Sequence, residues 1–326
     1  MTQAQAAGTI SADLEPQVRR MSRWRRFAGL ARQNPLGLFG LLVMLTLGVL
    51  AVFAPVIAPH DPQAFVAEGQ LNPSFSHLFG TDRLGHDMFS RVVFGARISL
   101  VVGFSSVLFG TAIGTALGIF SGYVGGFVDS VIQRSVDTFI AFPGLLLLLI
   151  LRQVLGASVT TLIIAIGIAI IFPITRIVRG AVLSERNNQY VEAARALGAS
   201  TPRILFVHVA PNVLALAIIV ATTFLGFAIL AEAALAFLGL GIPESEEFSL
   251  LFFVELVGLD IPGFLGFLSG PAVTWGRDVN AARNSFPFHI WWAFFPGLGI
   301  TLTVLGFNLL GDALRDILDP RLRGRL

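Results

Sequence analysis

Apolar runs long enough to cross a bilayer alternate with shorter polar segments from residue 35 onward. A spanning helix needs about 20 mostly apolar residues. No Asp, Glu or Arg occurs between Arg32 and Asp61, which predicts a first span over 36–57, stopped by Pro55 and Pro59. The charge-free run Ile98–Val128 predicts a second span over 98–120. A third, over 131–151, carries Arg134 and Asp137 at its start; three residues apart on one helix face, they are expected to pair. A fourth run follows Arg152 to Thr175, a fifth covers Ile204–Ala231 and a sixth Asn284–Gly311. The pattern predicts an all-α integral membrane protein with six transmembrane helices. One more apolar block, Phe248–Leu268, holds Glu255, Asp260 and Pro262. Two unpaired carboxylates near a bilayer centre cost roughly 5 kcal/mol or more, so this block is expected outside the bilayer core, on the bundle or at the interface.

Composition agrees with the pattern. The chain has 326 residues, of which 55% are hydrophobic and 13% charged, against about 25% charged in soluble domains. An ordinary water-soluble enzyme is excluded, and so is a disordered chain. Cysteine is absent, which removes disulfides, thiolate metal sites and cysteine nucleophiles. All 22 basic residues are arginine. With no lysine there is no P-loop, so any ATP that drives this protein is hydrolysed by another chain. Arginine placement sets the expected orientation. Arg19, Arg20, Arg23, Arg25, Arg26 and Arg32 precede the first span, five arginines from Arg176 to Arg203 follow the fourth, and four from Arg315 to Arg325 end the chain. Both termini are therefore expected in the cytoplasm, and a seventh span would put the arginine-rich tail outside. The N-terminal arginines, with Trp24 and Phe27, suit either an amphipathic surface helix or positive-inside anchoring. The polar first twenty residues give no sign of a cleavable signal peptide.

Two constellations stand out. Gly110, Gly114 and Gly118 are spaced by four, a flat stripe that lets another helix backbone approach closely; it serves either static packing or a moving, substrate-lining seam. Gly122, Gly125 and Gly126 then predict a tight cytoplasmic turn. In the loop 180–210, Tyr190-Val191-Glu192-Ala193-Ala194-Arg195-Ala196-Leu197 is made of good helix formers, and Gly198 stands at the expected C′ stop. Ser200 or Thr201 can cap a second helix, with Pro202 in its first turn. The slim face of Ala193, Ala194 and Ala196 can insert into a partner's groove, although a plain cytoplasmic hairpin has the same pattern.

Glu192-Ala193-Ala194, then Gly198 and, thirteen positions later, Pro211, resembles the EAA loop of ABC importer permeases. The usual Ile and Leu before the proline are His208 and Ala210 here, and a histidine at that place is typical of the peptide-transport branch. Leu78-Phe79-Gly80-Thr81-Asp82-Arg83-Leu84-Gly85-His86-Asp87, with Ser90-Arg91, is similar to the external segment of the C-type permease subunit of dipeptide and oligopeptide importers, where Gly-Arg-Asp replaces Gly85-His86-Asp87. Ala231–Gly241 and Phe307–Arg321 resemble the end of that subunit's fifth span and its C-terminus. The resemblance covers roughly 35–243 and 271–323 and skips 244–270.

It implies a MetI-like permease fold moving peptides or a related small substrate. It also implies a second permease subunit, two ATPase subunits that hold ATP and Mg, an external substrate-binding protein, and no nucleic acid. Tyr190, Glu192, Ala193, Ala194, Arg195, Leu197, Gly198 and Pro211 would then form the ATPase-coupling loop, and Gly80, Asp82, Gly85, Asp87 and Arg91 the external segment. The expected division is a cytoplasmic segment 1–34, a first helix with its external loop 35–96, a core 97–312 and a tail 313–326.

Glu232 lies in the fifth span and should face the bundle or an external vestibule, as a structural hydrogen-bonding group or as a substrate or gating contact. His60, His77, His86, Asp61, Asp82 and Asp87 gather in the first external loop. No pair there has diagnostic metal-ligand spacing, so loop hydrogen bonding is expected and no metal is assigned. An ion-coupled secondary transporter is the alternative class, but it would normally carry paired intramembrane carboxylates, and Glu232 is the lone candidate.

Overall fold

The computed structural model describes residues 34–249, 269–285 and 288–318. The N-terminal arginines with Trp24 and Phe27, the body of the Phe248–Leu268 block, and the last eight residues lie outside the described residues. Helices α1 (Pro35–Val52) and α2 (Ala54–Ile57) cover the first expected span. They are followed by α3 (Met88–Val124), α4 (Gly126–Ala141), α5 (Gly144–Leu155) and α6 (Val159–Glu185). Next come α7 (Gln189–Ala196), α8 (Thr201–Arg203), a π turn over Ile204–Val209 and α9 (Ala210–Phe237). Strands β1 (Glu247–Ser249) and β2 (Ser269–Pro271) pair antiparallel, then α10 (Trp275–Ala282) and α11 (Trp291–Leu318) close the described chain.

Among the described residues, five stretches are continuous helices long and apolar enough to cross a membrane: α1, α3, α6, α8 through α9, and α11. The expected third span is different. It qualifies only as the pair α4 and α5, bent by 97°. Pro143 explains the break: it bars its predecessor Phe142 from helical backbone, and Phe142 is extended at ψ 135°. Asp137 does not pair with Arg134; its carboxylate takes Arg176 of α6, because the bend lays α4 along that helix. The second span also begins earlier than its charges suggested, at Met88 instead of 98.

The core lies where α3 packs along α6, with α9 against both. The glycine stripe makes that approach possible. A Cβ on Gly110 would come within 2.6 Å of the Gly167 carbonyl oxygen, one on Gly114 within 2.8 Å of the Ile171 oxygen, and one on Gly118 within 2.7 Å of the Val178 Cβ. Gly122 belongs to this stripe, facing Val182 from within α3; the turn itself is made by Gly125 and Gly126, at φ +70° and +60°. α1 packs on α11 and α3. Its last carbonyls are taken by Arg97 of α3, whose Nε donates to Ala51 at 2.7 Å and whose guanidinium also reaches Val52 at 3.2 Å.

The two ends of the bundle carry different chemistry. Residues 58–87, the 238–249 segment and α10 gather at the start of α3, the Asp87 end. The Gly125 turn and α7 lie at its finish, the Gly198 end, where Tyr123 Oη donates to the Thr201 carbonyl at 3.1 Å. The β1–β2 ladder sets Ser249 opposite Ser269.

Candidate functional site

At the Gly198 end, α7 is held to the bundle by one fully buried side chain, Val191, while Glu192, Ala193, Arg195, Leu197 and Gly198 are exposed and Ala194 is half-buried. The helix stops as the sequence dictates. Gly198 at φ +82° donates to the Arg195 carbonyl at 3.0 Å, and Ala199 donates to Ala194 at 3.0 Å. That pair of bonds is a Schellman turn. Its backbone suits glycine; a side chain there is disfavoured by about 1 kcal/mol. Ser200 starts the next element without a side-chain cap, so capping by Ser200 or Thr201 is not used.

A polar knot anchors α7 from the other side. Tyr190 Oη donates to Glu185 Oε1, and Asn212 Nδ2 donates to Glu185 at 2.8 Å and to Tyr190 Oη at 3.0 Å. Burial pushes the Tyr190 phenol above its ordinary value, and the Glu185 hydrogen bond adds to this. Pro211 lies just after the π turn. Its ring, which carries no N–H, displaces the carbonyl four residues back, and the widened turn absorbs the displacement. Large apolar side chains stay exposed on both sides of the bend: Leu197 is 89% exposed, Phe206 71% and Val207 58%.

The Asp87 end is built from the second quoted motif. Gly80 and Gly85 have φ +75° and +90°, turning the chain twice within six residues. Asp82 accepts from the Leu84 and His86 amides at 2.8 and 2.9 Å, and its other oxygen pairs with His86 Nδ1 at 2.7 Å. Asp87 caps α3, accepting from Ser90 N at 2.9 Å and Ser90 Oγ at 2.7 Å. Arg91, buried to 3% exposure, is shared among Asp278 of α10, Glu244 and the Pro62 carbonyl at 2.8, 3.0 and 3.1 Å. Burial raises the Glu244 carboxyl, but Arg91 and Arg277 outweigh it and hold it below its ordinary range. Asp61, Gln63, Glu244 and Glu246 line an adjoining cleft of about 400 Å³.

Residues 114–324 match the family described as binding-protein-dependent transport system inner membrane component, and residues 22–75 match the N-terminal TM domain of oligopeptide transport permease C. The chain belongs to this family. It is 39% identical over 303 residues to the glutathione transport system permease protein GsiD of Escherichia coli O157:H7, covering 92% of this chain and 90% of that protein. Identity to the GsiD of Shigella flexneri serotype 5b is 41% over 303 residues, with the same coverage. The chain is accordingly a multi-pass membrane permease, the transmembrane subunit of an ABC importer, and the ion-coupled alternative is not favoured.

Two further groups in this permease bear on function. Glu232 faces the bundle interior, fully buried; Ser99 Oγ donates to its Oε2 at 3.4 Å, and Oε1 has no partner among the described residues. Arg152, which the sequence pattern marks only as an external charge between the third and fourth spans, is 2% exposed. Its guanidinium donates to the Leu240 and Gly241 carbonyls, both at 2.9 Å, and to Thr161 Oγ1 at 2.6 Å. It ties α5 to the turn after α9, a role its lone position in an apolar run could have signalled.

Proposed function

We propose that this permease imports a peptide or a small peptide-like molecule such as glutathione, and that the Gly198 end faces the cytoplasm and docks on ATPase subunits. The observation that carries the reading is the presentation of α7: one buried anchor, a Schellman turn, and an outward face of Glu192, Arg195 and Leu197. ATP and Mg reside on two partner ATPases. This chain and a second permease subunit enclose the pathway, and a binding protein delivers substrate at the Asp87 end. Closure of the ATPases pushes on α7, and rigid-body motion of the bundle switches access to the pathway. Fifteen arginines on the Gly198 side of the predicted spans against six on the other support this orientation. The similarity to glutathione transport permeases supports the substrate class.

The test is reconstitution of the assembled importer carrying Glu192→Ala or Gly198→Leu. Both variants should insert into the membrane at normal levels, because neither residue lies in a span. Substrate-stimulated ATPase activity and uptake of radiolabelled glutathione or dipeptide should fall at least several-fold. Unchanged uptake in both variants would reduce α7 to a connector.

A further inference from the structure

His60, His77 and Asp87 are separated by 17 and 10 positions, and no metal-ligand spacing joins them in the sequence. The fold brings one ligand atom from each within 4.8 Å of the others. We propose that these three side chains hold a divalent transition-metal ion that staples the 58–87 loop to the start of α3.

The ligand chemistry selects the ion. Two imidazoles and a carboxylate form a set that suits Zn²⁺ and its borderline-soft neighbours and leaves a coordination position for water. Ca²⁺ and Mg²⁺ take oxygen ligands and are poorly served by two nitrogens. Metal–ligand bonds of about 2.0–2.2 Å place tetrahedral ligand atoms about 3.4 Å apart. His77 Nδ1 already stands 3.3 Å from Asp87 Oδ1, and His60 Nδ1 stands 3.9 Å from Asp87 Oδ2. The imidazole centroids are 5.7 Å apart, so a small side-chain rotation closes the set.

The surroundings point the same way. Asp87 is 1% exposed and its carboxylate is fixed by the Ser90 amide and hydroxyl, the kind of support that orients a metal ligand. The same hydroxyl accepts from the His60 amide at 3.3 Å, which sets the backbone of the second ligand. His60 Nδ1 is buried and has no hydrogen-bond partner among the described residues. Buried polar atoms are rarely left so, and coordination would satisfy this one. Arg91, one turn on from Asp87, is committed to Asp278, Glu244 and Pro62. His86 is engaged with Asp82. The three candidates are thus set apart from the other ionisable groups of the loop. Since Asp61, beside His60, lines the 400 Å³ cleft, the ion would also fix one wall of that cleft.

The experiment uses the full-length chain in lipid nanodiscs, freed of any polyhistidine tag and of adventitious metal. Zn²⁺ is added by equilibrium dialysis and counted by mass spectrometry, and Co²⁺ is added separately and followed by its visible absorption. The expected result is one Zn²⁺ per chain at micromolar free ion and the intense bands of low-coordinate Co²⁺. Affinity should weaken at least about tenfold in His60→Gln and in His77→Gln, while His208→Gln, at the opposite end, binds as the parent does. His60 is half-exposed on a loop, so its glutamine variant should stay folded, which size exclusion checks. Absence of stoichiometric Zn²⁺ from the folded parent would overturn the proposal. So would stoichiometric binding that neither loop variant weakens, since the ion would then sit elsewhere.

Discussion

Arg91 is buried beneath the 58–87 loop, and its charge is compensated by side chains supplied more than 150 positions later in the chain. Removing one partner of a buried pair leaves a charge the interior cannot solvate, a loss of about 3–5 kcal/mol. Asp278→Ala should therefore lower the thermal midpoint of the purified permease sharply, with Glu244 and the Pro62 carbonyl softening the loss toward the lower figure. Asp278→Asn, which keeps an acceptor, should cost less; equal midpoints for the parent and Asp278→Ala would refute the assignment. The glycine stripe gives an equally local contrast. Gly114→Val drives a branched side chain into the Ile171 carbonyl and Ile174, and overpacking of this kind costs about 1–3 kcal/mol. Gly180 has nothing within 4 Å of where its Cβ would sit, so Gly180→Ala should be neutral or gain about 1 kcal/mol of helix propensity. Thermal unfolding of the two variants in one detergent decides between static packing and open space along these helices.

Single elements show where sequence reasoning stops. The length of each apolar run finds α1, α6, α9 and α11, because spanning a bilayer demands that length and little else does. It places their ends less well: α6 reaches Glu185 where the fourth run stops at Thr175, and α11 covers Trp291–Leu318 where the sixth run covers Asn284–Gly311. α3 begins ten residues before its predicted start, since Arg91 and Arg97 read as loop charges until Asp278, Glu244 and the Ala51 carbonyl are brought beside them. A sliding window cannot see such distant partners. The break at Pro143 was open to reading, and the continuous hydrophobicity of 139–151 obscured it. The α7 helix and its Gly198 stop were legible because propensity, glycine position and bend are all local. The His60, His77 and Asp87 convergence was not, being made wholly by the loop's path. An element-scale prediction follows from Arg97. Arg97→Gln withdraws charged donors from the last carbonyls of α1, and such bonds contribute about 1.5–3 kcal/mol each. Amide exchange over 53–57 should quicken tenfold or more, at 1.4 kcal/mol per factor of ten. The middle of α1 should keep its parent rates, and unchanged exchange at 53–57 would mean that α1 ends unaided.

For the whole molecule, the proposal of cytoplasmic termini can be tested without disturbing any native thiol, because the chain contains no cysteine. Single cysteines at Ser245 and Ser184, both exposed, should react with a membrane-impermeant maleimide from opposite faces of intact cells, Ser245 from outside. A cysteine at Gly324 should behave as Ser184 does. Outside labelling at Gly324 would reverse the orientation, and labelling of Ser245 and Ser184 from one face would dismantle the bundle's two-ended description.

α3 runs unbroken for 37 residues, about 55 Å, against a hydrocarbon core of about 30 Å. It cannot fit within the membrane's apolar slab, and its surplus reaches past the headgroups. At one tip Asp87 is bound into the loop; at the other Tyr123 touches the carbonyl of Thr201, beside α7. A stiff rod pinned along one side by glycine contacts has few ways to respond to a force except by tilting as a unit. A tilt of 5° about its midpoint would swing each tip by roughly 2.4 Å, taking the length from the helix rise. Such a displacement exceeds the tolerance of a hydrogen bond, so a nudge too small to rearrange any helix would be large enough to make or break contacts on the far side of the membrane.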